Sequence, residues 1–166
     1  MPAYQIRQWG DPVLTQRSSE VADIDAGLVR LAADMVETMH DARGLGLAAP
    51  QIGVQKRMFV YQLGDSDPLT IVNPTVADQR GEWEYEEGCL SIPGLFFPIV
   101  RPKEVHLTGW DLDGREVSIE ADELEARCFL HEMDHLDGRL LLERLDKDQR
   151  KEAMRELRRR TETVGG

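Results

Sequence analysis

Apolar residues recur at helical spacing between Asp25 and Asp41, where Leu28, Leu31, Ala32, Met35, Val36 and Met39 share one side and Gly44 ends the run. Two shorter apolar stretches, Arg57 to Tyr61 and Leu69 to Val72, read as strands. Val105 to Leu112 and Glu116 to Ile119 flank Asp113-Gly114, a hairpin turn signal. Asp122 can cap the next helix, with Glu125 as its reciprocal carboxylate, and Gly138 closes it. A final charged helix runs from Lys147 to about Arg160. This order predicts an α+β fold, with mostly antiparallel strands packed around a central helix between an N-terminal and a C-terminal helix. No repeat or linker divides the 166 residues, so one domain is expected, with 147–166 as its charged C-terminal helix and tail.

Composition narrows the class. Hydrophobic residues make up 41% and charged residues 31%, which favours a folded chain over disorder. The net charge of −11 argues against coating nucleic acid with the whole surface, and no direct DNA binding is expected. The first residues hold no apolar run suited to a signal peptide or membrane span, so a cytoplasmic, membrane-free protein is expected. Two cysteines do not make a disulfide framework, so each thiol needs a role in packing, metal binding or chemistry.

The central helix carries the strongest chemical signal, His131-Glu132-Met133-Asp134-His135. Positions i and i+4 share a face, so both imidazoles can reach one metal ion, and Glu132 between them can act as general base toward water at that ion. Leu124, Cys128, His131 and His135 form one continuous stripe, which puts the histidines on the inward side and leaves Asp134 and Asp137 off it. Two unpaired buried imidazoles would need partners, and a metal satisfies both.

A third protein ligand must come from elsewhere. Cys128, His131 and His135 together span about 10 Å of helix axis, too far to close around an ion whose ligands lie ~2.0–2.3 Å away. Cys128 therefore reads as a small core residue, leaving His40, His106 and Cys89. From Glu82 to Glu86 the pattern has period two, with Trp83 and Tyr85 inward; continued, it turns Glu87, Cys89 and Ser91 inward as well. Glu87 then needs a partner, for which Arg101 is available. Gly88 beside Cys89 lets a backbone approach closely. A thiol facing a two-histidine site makes Cys89 the favoured third ligand, and Cys/His/His leaves an open position as catalytic sites do.

Gly44-Leu45-Gly46-Leu47-Ala48-Ala49-Pro50-Gln51 matches a dinucleotide fingerprint by letter only, because it follows a helix and runs into Pro50. It reads instead as an apolar segment whose backbone approaches a ligand, with Gln51 at its polar end.

Gly44 to Gln51, Glu87-Gly88-Cys89-Leu90-Ser91, and His131 to Gly138 together resemble, in order and separation, the three signature segments of peptide deformylases. The resemblance implies a hydrolase that removes the formyl group from the N-terminal formyl-methionine of new bacterial or organellar proteins. It implies one divalent ion on Cys89, His131 and His135, natively Fe(II), with Zn(II), Ni(II) or Co(II) able to occupy the site. Glu132 would be the general base, while the Gln51 side-chain amide and the Leu90 N–H would stabilise the oxyanion. Substrate backbone would pair with Leu45, Gly46 and Gly88, and the methionine side chain would enter a pocket including Leu45, Tyr85, Leu124 and Cys128. A monomer of the bacterial, cytoplasmic type is the expected state. The chain departs from the family in Leu130, where Gln is frequent, and in the apolar stretch from Pro93 to Pro98, where some relatives carry a basic side chain.

Two other readings compete. An internal peptidase fits the helix but leaves the Cys89 segment and the Gly44 loop unexplained, and a noncatalytic ribosome-binding module would use the metal structurally. From Lys147 to Arg160 there are seven basic and three acidic residues. That stretch is either a solvated helix whose Arg158, Arg159 and Arg160 complement its macrodipole or, as relatives imply, a helix that docks on the ribosome.

Overall fold

The computed structural model describes residues 4–165, with side chains through Arg160. The chain runs α1 (Ala26–Asp41), β1 (Gly46–Ala48), β2 (Met58–Tyr61), β3 (Leu69–Arg80), β4 (Trp83–Gly88), β5 (Phe96–Arg101), β6 (Glu104–Trp110), β7 (Glu116–Asp122), α2 (Glu123–Leu136) and α3 (Lys147–Gly165). The α+β expectation holds: every strand pairing is antiparallel, in a five-stranded sheet ordered β1-β2-β3-β6-β7 and a separate β4-β5 ribbon.

β2 explains how the layers stack. All four of its residues are buried, with Met58 and Val60 packed among the α1 side chains and Phe59 and Tyr61 among those of α2. Covered on both faces, the strand reads as an unbroken apolar run. Phe129 of α2 meets the Tyr61 ring edge-on at 4.9 Å and Phe59 at 6.0 Å. Truncating a buried aromatic of this kind costs about 3–5 kcal/mol, so this contact fixes the height of α2 above the sheet. A third cluster joins Phe97 and Ile99 of β5 to Leu141, Leu142 and Leu145, and to Ala153 and Leu157 of α3.

Several expectations need correction. Asp122 does not cap α2 with its side chain. It is the last residue of β7, paired with Glu104, and the chain pivots at Glu123, whose φ is +47°. Glu125 instead accepts a hydrogen bond from the Tyr61 hydroxyl at 3.3 Å. β3 continues far beyond Val72, because the Asn73-Pro74 break is absorbed as a register shift against β6. Asn73 takes φ +50°, and its side chain bonds both backbone groups of Val21. The Gly44 loop contains the short strand β1, and the apolar stretch after Cys89 becomes β5. α3 extends to Gly165, so Arg158, Arg159 and Arg160 lie inside the helix and do not occupy its last turn.

Candidate metal centre

α2 presents its two histidines as the spacing predicts. His131 Nε2 and His135 Nε2 approach to 3.2 Å, and Cys89 Sγ lies 3.4 Å from His135 Nε2. The three ligand atoms all lie within 4.8 Å of one another, although Cys89 is 46 residues from His135 in the chain. Ligands at 2.0–2.3 Å around a tetrahedral ion stand roughly 3.3–3.7 Å apart, so this donor set fits one divalent cation. Protons cannot satisfy the cluster equally well, because the two facing ring nitrogens can share only one.

Cys89 does not extend β4. The strand ends at Gly88, and Cys89 begins the turn that the Ile92 N–H closes onto the Cys89 carbonyl at 3.0 Å. Its sulfur accepts from the Ser91 N–H at 3.4 Å and the Gln51 side-chain amide at 3.8 Å. Burial opposes the thiolate, but the neighbouring His135 and His131 outweigh it and hold the thiol well below its ordinary range. A thiolate is the form that binds metal.

Behind the ligands lies a buried charge cluster. The His131 Nδ1–H donates to Glu87 at 2.7 Å, which leaves Nε2 free to face the cysteine. Glu87 also receives Arg101 through two bonds, of 2.9 and 2.7 Å, and Arg127 at 2.8 Å. Arg101 continues to Asp134 at 2.8 Å, and Arg144 grips the same carboxylate at 2.6 and 2.9 Å. The predicted Glu87–Arg101 pair is thus present. Asp134, off the histidine stripe as predicted, is nonetheless buried on this second face of α2. The burial of Arg127 and Asp134 and the pairing of Arg144 with Asp134 leave no mark in the sequence, since hydropathy cannot separate a buried paired charge from a solvated one.

Glu132 is 3% exposed, and its Oε1 has no hydrogen-bond partner among the described residues. Burial raises its carboxyl pKa, opposed by the two imidazoles. Its other oxygen lies under β1, where a Cβ on Gly46 would come within 2.6 Å of it. Gln51 is held by the Ala48 N–H, which donates to its Oε1 at 3.0 Å, so that its amide nitrogen faces Ser91 and Cys89.

Gln51, Cys89, His131 and Glu132 line a cleft of about 390 Å³, together with Leu45, Gly46, Tyr85, Gly88, Leu90, Leu124 and Cys128. Every candidate substrate residue therefore borders the same opening. Tyr85 is not turned into the core, however: it is 36% exposed and stacks on Trp83 at 5.1 Å, with the Arg127 guanidinium over both rings. Leu47, Ala48 and Ala49 belong to the core, so that segment meets the cleft only at its two ends, Gly44 to Gly46 and Gln51. Cys128 is cleft wall, and His40 and His106 bond Gln62 and Ser118 instead of joining the ligand set.

The polypeptide deformylase family model matches residues 3–151. The chain is 47% identical over 158 residues to the peptide deformylase of Acidothermus cellulolyticus, covering 95% of this chain and 87% of that one. It is 48% identical over 127 residues to the peptide deformylase of Clostridium botulinum, covering 76% and 86%. Its backbone is similar to the crystal structure of a peptide deformylase from Legionella pneumophila, with TM-score 0.92, 37% identity and coverage of 99% and 98%. It is also similar to peptide deformylase from Ehrlichia chaffeensis in complex with actinonin, with TM-score 0.91, 37% identity and coverage of 96% and 98%.

Proposed function

Because the chain belongs to the polypeptide deformylase family, we propose that its cleft hydrolyses the formyl group from the N-terminal formyl-methionine of newly made proteins and releases formate. The observation that carries this reading is the meeting of Cys89, His131 and His135 beside the unpartnered oxygen of Glu132. Cys89, His131 and His135 would hold one divalent ion, Fe(II) in the native enzyme and replaceable by Zn(II), Ni(II) or Co(II). Such an ion supplies Lewis acidity to water and to the formyl oxygen.

The chain's own groups do the rest. Glu132, its pKa raised by burial, takes the proton of the attacking water and returns it to the leaving amine. The Gln51 amide N–H and the Leu90 backbone N–H donate to the oxygen that gains negative charge; one such donor is worth roughly 2.7–4 kcal/mol in the transition state. Substrate backbone pairs with Leu45, Gly46 and Gly88. The methionine side chain enters between Leu45, Tyr85, Leu124 and Cys128, walls that are mostly apolar. Residues 1–166 act as one catalytic unit, working as a monomer in the cytoplasm. Among the described residues no helix is long and apolar enough to cross a membrane.

Lys147, Arg150, Lys151, Arg155 and Arg158 gather along one exposed side of α3, and this side docks the enzyme on the ribosome through phosphate contacts. Removing residues after Asp146 should abolish salt-sensitive cosedimentation with ribosomes; cosedimentation that survives would refute the docking. The main reading is tested by formate release from a formyl-Met peptide and its acetyl-Met counterpart. Metal-loaded protein should cleave only the former, and Glu132→Gln should lose the activity by orders of magnitude while keeping metal and fold.

A further inference from the structure

A peptide laid along β4 must alternate its side chains between the two faces of that strand. β5 occupies one edge of β4, in a register that sets Gly88 opposite Phe96, and no described strand occupies the other edge. The cleft runs past β4 from Tyr85 to Gly88, and strand alternation puts Tyr85 and Glu87 on one face, the one that meets His131 through Glu87, with Glu86 and Gly88 on the other. A methionine directed into the cleft therefore sends the next side chain to the opposite face, at the level of Gly88. Gly88 has no side chain to meet it, and its place is taken by Phe96. A Cβ on Gly88 would lie 2.4 Å from Phe96 Cε1 and 2.6 Å from Cδ1, so the ring leans from β5 across β4. Phe96 is 60% exposed and also lines the cleft mouth.

We propose that Phe96 is the specificity element for the second residue of the peptide substrate, whose apolar or aromatic side chain packs against its ring. The inference rests on the reading of the cleft as a formyl-methionine peptide site and goes beyond it in naming what is selected downstream. The ring stands on a fixed support, as a selective contact requires. Phe97 beside it is buried in the third core cluster. α3 holds the chain on both sides of Phe96: the Arg160 guanidinium donates to the Pro93 carbonyl at 2.7 Å, and the Gln149 amide donates to the Pro98 carbonyl, within β5, at 3.1 Å. Covering roughly 50 Å² of apolar surface is worth about eightfold in affinity, and an offset aromatic pair adds to it.

The test compares metal-loaded wild type, Phe96→Ala and Phe96→Leu on three formylated tripeptides that differ only at the second residue, Phe, Gly or Lys. Binding of the same peptides to Glu132→Gln, with and without Phe96→Ala, is measured by calorimetry. Wild type should favour Phe over Gly about five- to tenfold in kcat/KM and in affinity, Phe96→Ala should bring the ratio within about twofold, and Phe96→Leu should fall between. A wild-type ratio near one overturns the proposal. So does a ratio that Phe96→Ala leaves intact while all peptides slow in parallel, which would make Phe96 a mere support for β4. A lysine preference that survives Phe96→Ala assigns the seat to Glu86 and likewise overturns it. If wild type releases formate from none of the three, the deformylase reading fails instead, and the calorimetric ratio alone decides the role of Phe96.

Discussion

Replacing Glu87 with Gln keeps the side chain's outline and removes its charge. Four short bonds converge on this carboxylate, two from Arg101, one from Arg127 and one from His131. An amide accepts through one oxygen only and turns an NH₂ toward the remaining donors. Arg101 keeps Asp134, but Arg127 loses its only ionic partner among the described residues. Breaking one member of a buried pair costs about 3–5 kcal/mol, which for a chain of this size lowers the melting temperature by about 6–20 °C. His131 also loses the acceptor that orients it, and such losses weaken metal binding about 10–100-fold. Thermal melts of metal-free protein and competition titrations against a chelator measure the two effects separately.

Acid unfolding adds a third readout. Burial pushes the Glu87 carboxyl up, but the hydrogen bonds and charges of His131 and Arg101 outweigh it and hold it far below the ordinary range. Its contribution is therefore fully present above the unfolded value of about 4.3 and is lost as pH falls below that toward the folded value. Metal-free wild type should lose stability more steeply than Glu87→Gln between about pH 4.5 and 2. A variant that melts within about 2 °C of wild type and binds metal equally well would refute the role given to Glu87.

Gly46→Ala places a methyl 2.6 Å from Glu132 Oε2 and 3.1 Å from Cys128 Sγ. Formate release should fall about 100-fold, the scale of a misplaced catalytic group, with metal content retained; unchanged kinetics would show that Glu132 need not sit against β1. Cys128→Ala should leave one metal per chain by elemental analysis, whereas Cys89→Ala should lose it, and the reverse pattern would reassign the thiol ligand.

The layers were legible because their causes are local. α1 and β2 announce themselves by periodicity and by an unbroken apolar run, and the α2 histidines by a four-residue spacing that any helix converts into a shared face. The inward phase of β4 points to Cys89, although the strand stops at Gly88 and a turn carries the sulfur the rest of the way. Less visible were features that depend on a neighbour in space. Glu125 bonds Tyr61 instead of capping its helix because β7 runs to the very start of α2. Asp134 and Arg127 are charged and buried because they meet Arg101, Arg144 and Glu87, contacts that no window of sequence contains. The alternation in Phe96–Arg101, with Phe97, Ile99 and Arg101 inward, was a strand signal masked by Pro98 and by the arginine on the apolar side.

X-ray absorption at the metal edge of protein loaded with zinc asks most directly whether sulfur and nitrogen from distant segments share one ion. The spectrum should fit one sulfur at about 2.3 Å and two imidazole nitrogens at about 2.0–2.1 Å, and the sulfur shell should vanish in Cys89→Ala. A shell of nitrogen and oxygen alone in the wild-type chain would contradict the account.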